Sequence, residues 1–559
     1  MASNSFCRSN IPLLTLLFSL LSVTLLHMPL AEFPMGRDQG VWATAGAAIN
    51  RGAIFFKDYL HFNLPGLGIT YAMALRLTDD PRIATMLVSL MGSMLTIIGL
   101  YLLLQTTISE VAAAWSALLF SLMWPTYVDF QSIAQKDFMA VYGLLFGTWL
   151  MARSETPARW RKLSIYAGGV AVGISAMYKP LFAVAGILFA FIHAVKFTKS
   201  TILTRNYTKE HFQDLITNLL LLLAGLLTLA IILLLYLCIN GGTTEFYNGL
   251  FVFAPAHSGF YRQSIGLQLL VLLVNSYIIN PQFDWVWLLH FVIWTPIILT
   301  GLIGMVKNVG GYQRAWLSVP FITALFTYFV QGRCFSYHAI PWQICMFIIA
   351  GNWFAMIWAR DNKSWFCKET KLALTLTLFS GVFWVIGLTQ QHFVKAELPA
   401  WANLISREEY LSKHFADIIP DTGRPSPGAS ENLAEWIEQN SNPDDKILVW
   451  GLECQLYALS RRMYATHCPF DYLLTRDVSG SPRAMEWQKT IRSQFMAKLK
   501  LERPKFIIIV SNDANTVEPV PSNEAVAVVP GFQSFVANQY CKVKSLELFD
   551  VYQHNPGQS

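Results

Sequence analysis

Long apolar runs separated by short polar loops dominate the first 390 residues. Segments near 11–31, 82–104, 111–128, 136–152, 163–178, 180–196, 215–239, 284–306, 315–331, 338–358 and 371–390 each approach the length of a spanning helix. A bilayer core requires about 20 such residues. Two further apolar stretches are too short to cross. The stretch 64–77 contains Pro65, and the stretch 265–279 is brief, so both are expected to lie along the membrane surface or re-enter it. From about residue 391 the pattern changes. The runs 446–450 (KILVW) and Phe506–Val510 (FIIIV) read as buried strands, and 431–439 and 483–501 as helices. The pattern predicts a polytopic α-helical membrane protein of about eleven transmembrane helices with a small C-terminal α/β domain. Residues 1–390 form its membrane domain, with a long first outer loop at 32–81, and residues 391–559 the extracytoplasmic domain.

Composition agrees. Of 559 residues, 54% are hydrophobic and 14% charged, well below the roughly 25% of soluble proteins. The net charge of +6 does not point to nucleic acid, because its basic residues fall in short loops. Arg153, Arg159, Arg161 and Lys162 form one cluster, Lys196, Lys199, Arg205 and Lys209 a second, and Arg360, Lys363, Lys368 and Lys371 a third, with Lys307 and Arg314 in a fourth. All four share one side if the N-terminus is cytoplasmic and 265–279 does not cross, as the positive-inside bias expects. The first apolar run reads as a retained anchor of the inner membrane. The sequon Asn206-Tyr207-Thr208 then faces the cytoplasm. Of eight cysteines, Cys238 and Cys345 fall in apolar runs and read as core residues. Cys454, Cys468 and Cys541 lie in the tail, where two of them could pair.

Chemistry concentrates at one predicted membrane level, the outer one. Asp38 follows the first apolar run by a few residues, and Asp58 and His61 occupy the same first loop. An acid bordering a bilayer is costly to keep there without a task. Asp137, Lys179, Arg333, Tyr337 and His338 fall at outer ends of predicted spans. Acids and cations around one cavity suit a reaction between a lipid-linked anionic group and a hydroxyl. The acid accepts the hydroxyl proton and the cations stabilise a phosphate leaving group. Each also has a structural alternative: pairing of Asp38 with Arg37, a turn cap at Asp58, snorkelling of Lys179, an aromatic belt around Arg333 and His338, a helix end at Asp137. No Walker loop, no GxGxxG after a strand and no HExxH occurs. The tail shows no nucleophile elbow and is assigned no catalysis.

This layout resembles the GT-C glycosyltransferases, in the branch of the protein O-mannosyltransferases and the lipid A aminoarabinose transferase. The resemblance rests on the acid soon after the first span, on 52–58 (GAIFFKD) with His61-Phe62-Asn63-Leu64-Pro65-Gly66, on 331–341 (QGRCFSYHAIP) before a late span, and on the tail runs 446–451 and 503–510. It implies transfer of a sugar from a polyprenyl-phosphate donor to a lipid, polysaccharide or protein acceptor on the outer face, by an inverting mechanism. In that likeness Asp38 corresponds to the general base. Lys179 and Arg333 hold the donor phosphate, and Asp58, His61, Asp137, Tyr337 and His338 shape the acceptor side or the site. No cofactor is implied, although Asp38, Asp58 and His61 could hold a divalent metal. Gln39 stands where protein mannosyltransferases carry a Glu, which disfavours a protein acceptor. A transporter or flippase of lipid-linked saccharides, or a non-enzymatic envelope-assembly protein, is the rival reading.

Overall fold

The computed structural model describes residues 11–155, 160–204, 209–258, 261–276, 285–358, 392–415, 423–515 and 518–555. The expected span 371–390, the basic loop around Lys363 and Lys368, and the sequon at 206–208 lie outside the described residues. The chain clusters into two compact units. One comprises Met1–Leu30, Ser89–Leu233 and Gln263–Leu398, the other Ala31–Val88, Leu234–Arg262 and Pro399–Ser559.

The first unit is helical. Ten of the eleven apolar segments are helices in the expected places, among them α1 (Ile11–His27). Among the described residues, five helices suffice by length and composition to cross a membrane: Pro12–Glu32, Pro81–Thr107, Pro180–Lys199, Lys209–Asn240 and Ser336–Trp358. The chain is accordingly an integral membrane protein. Along Lys209–Asn240, Leu220, Leu223, Leu227 and Ile231 are exposed, the arrangement of a lipid-facing surface. In lipid, helices gain no hydrophobic energy by meeting, so close packing depends on small residues. Arg161–Tyr178 and Lys209–Asn240 meet in this way. A Cβ at Gly225 would stand 2.1 Å from the Tyr166 carbonyl oxygen, and one at Gly169 2.4 Å from that of Leu222. Gly225→Ala is therefore expected to force these helices apart at a cost of about 1–3 kcal/mol, read as a lowered thermal midpoint in detergent.

The helix Ile265–Asn275 is eleven residues long, about 16 Å, and too short to span. Its polarity is inverted. Gln268 and Asn275 are buried while Ile265, Leu269, Leu270 and Leu273 are exposed. Two contacts hold it from the inside: the Tyr328 hydroxyl donates to the Gln268 carbonyl at 3.0 Å, and Trp342 Nε1 donates to Ser276 Oγ, just past the helix, at 2.7 Å.

The second unit carries a four-stranded mixed sheet. Strands β1 (Ile447–Trp450) and β2 (Phe506–Val510) pair in parallel. β2 also pairs antiparallel with β4 (Phe549–His554), which forms a hairpin with β3 (Tyr540–Leu546), giving the order β1-β2-β4-β3. Both parallel strands are wholly buried, as their unbroken apolar runs require. The helix Pro482–Glu502 connects them and packs Phe495 on Trp450, ring centroids 5.7 Å apart. Into this unit the first loop contributes α2 (Arg37–Asn50) and α3 (Gly66–Ala74). Ile69, Met73 and Leu77 form an exposed apolar stripe along and just beyond α3, consistent with the surface position expected of 64–77. Cys238, expected in a core, is exposed, and Cys345 is buried. Cys454, Cys468 and Cys541 are free thiols, so the structure shows no disulfide among them.

Candidate active-site clusters

In the first unit, three helix ends bring charged groups together. Asp137 sits in the first turn of Lys136–Arg153, where the helix dipole favours an anion. Lys179 directly follows Tyr178, and Gln331 closes Gly311–Gln331. Gly332, at φ 63°, then turns the chain toward Arg333. Lys179 Nζ donates to Asp137 Oδ1 at 2.5 Å and also to Gln331 Oε1, and Gln331 Nε2 reaches Asp137 Oδ1 at 3.3 Å. Asp137 is fully buried and Lys179 nearly so. Lys136 and Arg333 lie within electrostatic range of Lys179, and all three cations act on His338. His338 packs edge-on against Tyr337 with centroids 4.7 Å apart. Among the described residues, Asp137 Oδ2 and His338 Nδ1 are buried without a hydrogen-bond partner.

The structure thus groups Asp137, Lys179, Arg333, Tyr337 and His338, and adds Lys136 and Gln331, which the sequence reading did not select. It also commits the Lys179 ammonium to Asp137. Snorkelling does not describe Lys179, because its amine ends in a buried ion pair.

The other three candidates belong to the second unit. Asp38 is exposed in the first turn of α2. Arg37 turns to Glu453, to which its Nε donates, and to Glu518, 3.8 Å from Nη1. Asp58 closes its own loop: Oδ2 accepts from the Ile54 N–H at 2.9 Å, and its own N–H donates to the Ile54 carbonyl at 2.8 Å. This turn also holds Phe56 at φ 72°. His61 is buried among Trp42, Phe55, Phe62 and Phe470, at centroid distances of 4.8–5.9 Å, and its Nδ1 accepts from the Asn63 N–H at 2.9 Å. The observed contacts of Asp58 and His61 shape the loop. Among the described residues, no three His, Cys, Asp or Glu side chains are arranged to hold a metal ion.

The tail, which the sequence assigned no catalysis, supplies Glu453, Asp513 and Glu518 around Arg37. Glu453 is buried and also takes a bond from Gln455 Nε2. Asp513 accepts from the Ser522 N–H at 2.6 Å and hydroxyl at 2.7 Å. Burial pushes the Glu518 carboxyl up to about 7; Arg37 opposes the rise, while Asp513 and Glu453 add to it. Burial, with Glu518 and Asp513 nearby, holds Asp471 well above the usual carboxylate range. From the ordinary 4.5 of a glutamate up to about 7, the folded chain keeps the Glu518 proton that the unfolded chain releases. Stability therefore falls as pH rises through that window, by an amount on the order of 3 kcal/mol. Thermal unfolding of wild type at about pH 5 and about pH 8 should show this loss, and Glu518→Gln should flatten it.

A sequence model of the family described as dolichyl-phosphate-mannose-protein mannosyltransferase matches residues 65–209. ArnT from Cupriavidus metallidurans, solved with undecaprenyl phosphate bound, superposes with a TM-score of 0.59 at 14% identity, covering 97% of this chain and 98% of that one. The chain has the GT-C fold. Its apo ArnT counterpart gives a TM-score of 0.58, again at 14% identity, over 100% of this chain and 99% of the other. The archaeal oligosaccharyltransferase AglB from Archaeoglobus fulgidus, solved with an inhibitory peptide and a dolichol-phosphate, shares the GT-C fold more distantly. Its TM-score is 0.50 at 11% identity, over 99% of this chain and 75% of that one. No curated protein sequence matches the chain significantly.

Proposed function

We propose that this protein is a membrane glycosyltransferase of the GT-C type that moves a sugar from a polyprenyl-phosphate donor to an acceptor hydroxyl on the extracytoplasmic face. The observation that carries the reading is the exposed Asp38 carboxylate, held at the start of a buried helix in a GT-C fold. In this reading Asp38 takes the acceptor proton. The acceptor oxygen bonds to the anomeric carbon as the carbon–oxygen bond to phosphate breaks, inverting the anomeric configuration. Polyprenyl phosphate leaves with the bonding pair. Lys136, Lys179 and Arg333 bind its phosphate, since fixed cations in a partly dry site stabilise the growing charge. Asp58 and His61 fix the first loop, and Asp137, Tyr337 and His338 shape the surroundings of the cations. Neither cofactor nor metal is needed in this scheme. The N-terminus is cytoplasmic, and residues 391–559 form the extracytoplasmic part. Acceptors are a lipid, a polysaccharide or a protein, with the protein disfavoured by Gln39.

The test is donor turnover. Purified protein is incubated with polyprenyl-phosphate sugars and an acceptor-rich membrane extract, and free polyprenyl phosphate is followed by mass spectrometry. Release by wild type and not by Asp38→Asn supports the transferase. No release from any donor by folded protein overturns it in favour of a transporter or an assembly partner.

A further inference from the structure

The helix that presents Asp38 is seated, turn by turn, on one short segment of the tail. Arg37, Gly40 and Thr44 are spaced three and four residues apart and so share one face of α2. Arg37 Nε donates to Glu453. Gly40 rests on Gln455 so closely that a Cβ there would lie 2.3 Å from the Gln455 nitrogen. The Thr44 hydroxyl donates to the Cys454 carbonyl at 3.1 Å. Three consecutive tail residues thus receive three positions along α2. The platform is itself braced: Glu453 takes the Gln455 amide, and Gln455 Nε2 reaches Ser430 Oγ at 3.3 Å. Asp38, next to Arg37, remains exposed.

We propose that residues 453–455 are a positioning platform for the catalytic base, with Arg37 and Glu453 as the positioning pair that fixes the Asp38 carboxylate. This rests on the reading of Asp38 as the base. Neither side chain touches the reacting atoms. Their role is to fix the axial rotation and the height of the first turn of α2. Geometry of this kind matters because a misplacement of about 1 Å at a reacting group can cost about a hundredfold in rate.

The experiment is donor turnover by the full-length protein in detergent, read as kcat and donor KM, with thermal midpoints measured alongside. Arg37→Met and Glu453→Gln should each lower kcat by about 10- to 100-fold with the donor KM nearly unchanged. Arg37→Lys, which keeps a cation beside Glu453, should recover part of kcat. Gly40→Ala, which changes no charge, should lower kcat in the same way. If Arg37→Met fails to fold, the Glu453→Gln and Gly40→Ala arms decide alone. Variants that melt lower yet keep the wild-type kcat would show a merely structural contact and overturn the platform. Full turnover by Asp38→Asn would instead overturn the base assignment, so the two failures are distinguishable.

Discussion

Asp38→Asn is expected to lower donor turnover by about 10²- to 10⁴-fold, the usual contribution of a positioned general base. The amide has nearly the same shape and cannot accept the acceptor proton. Its effect on stability should be small, because Asp38 is exposed at the surface of the second unit. Thermal unfolding within the error of wild type, combined with loss of polyprenyl phosphate release, separates chemistry from folding. The effect should appear in kcat, since the proton moves in the transition state and a carboxylate that binds no donor leaves KM nearly unchanged. A transporter would tolerate the substitution unless the acid lined its pathway.

The second large effect is expected at the buried ion pair. Lys179→Met strips the partner from Asp137, which is fully buried and already has one oxygen without a hydrogen bond. Removing one member of such a pair costs about 3–5 kcal/mol, because the remaining charge stays desolvated. Gln331 Nε2, at 3.3 Å from the same carboxylate oxygen, softens the loss but carries no charge. The double variant Lys179→Met, Asp137→Leu should regain most of the lost stability, since two apolar side chains of similar volume replace the pair. It should not regain turnover if the cations bind the donor phosphate. Thermal midpoints of wild type, both single variants and the double variant give this cycle directly. Equal midpoints in all four would contradict the burial of the pair.

The helices and the two parallel strands were legible because their physics is local. An apolar run of bilayer length or an unbroken β-branched run carries its own signature, and β1 begins and β2 lies where KILVW and FIIIV stand. Asp38 stands out as a candidate for a related reason: an acid beside an apolar run is conspicuous. The β3–β4 hairpin was missed because its turn residue with positive φ is Glu547, φ 48°, where Gly or Asn normally signals the turn. A register shift between Lys542 and Lys544 also breaks its alternation. Ile265–Asn275 could be judged too short to span, but its inward polar face depends on Tyr328 and the residues following the helix. Glu453 and Glu518 were invisible as a site because each is a lone acid in a polar tail. They acquire meaning only when Arg37, more than four hundred positions earlier in the chain, arrives beside them. Asp58 and His61 are conspicuous as titratable residues in a first loop, and the structure shows what surrounds them there, a turn closed on Ile54 and a cluster of aromatic rings.

The contact between Thr44 and Cys454 joins positions 410 residues apart, and this bears on how the protein is made. At about 5–20 residues per second, synthesis takes roughly 20–80 s to go from one partner to the other. During that interval α2 has left the ribosome without its seat, and its apolar face needs shelter from lipid, neighbouring helices or a chaperone. A chain released early, at any point before Glu453, lacks the residues that hold the Asp38 helix. Prematurely ended products are thereby expected to carry the Asp38 helix unseated, and to lack whatever activity depends on its placement.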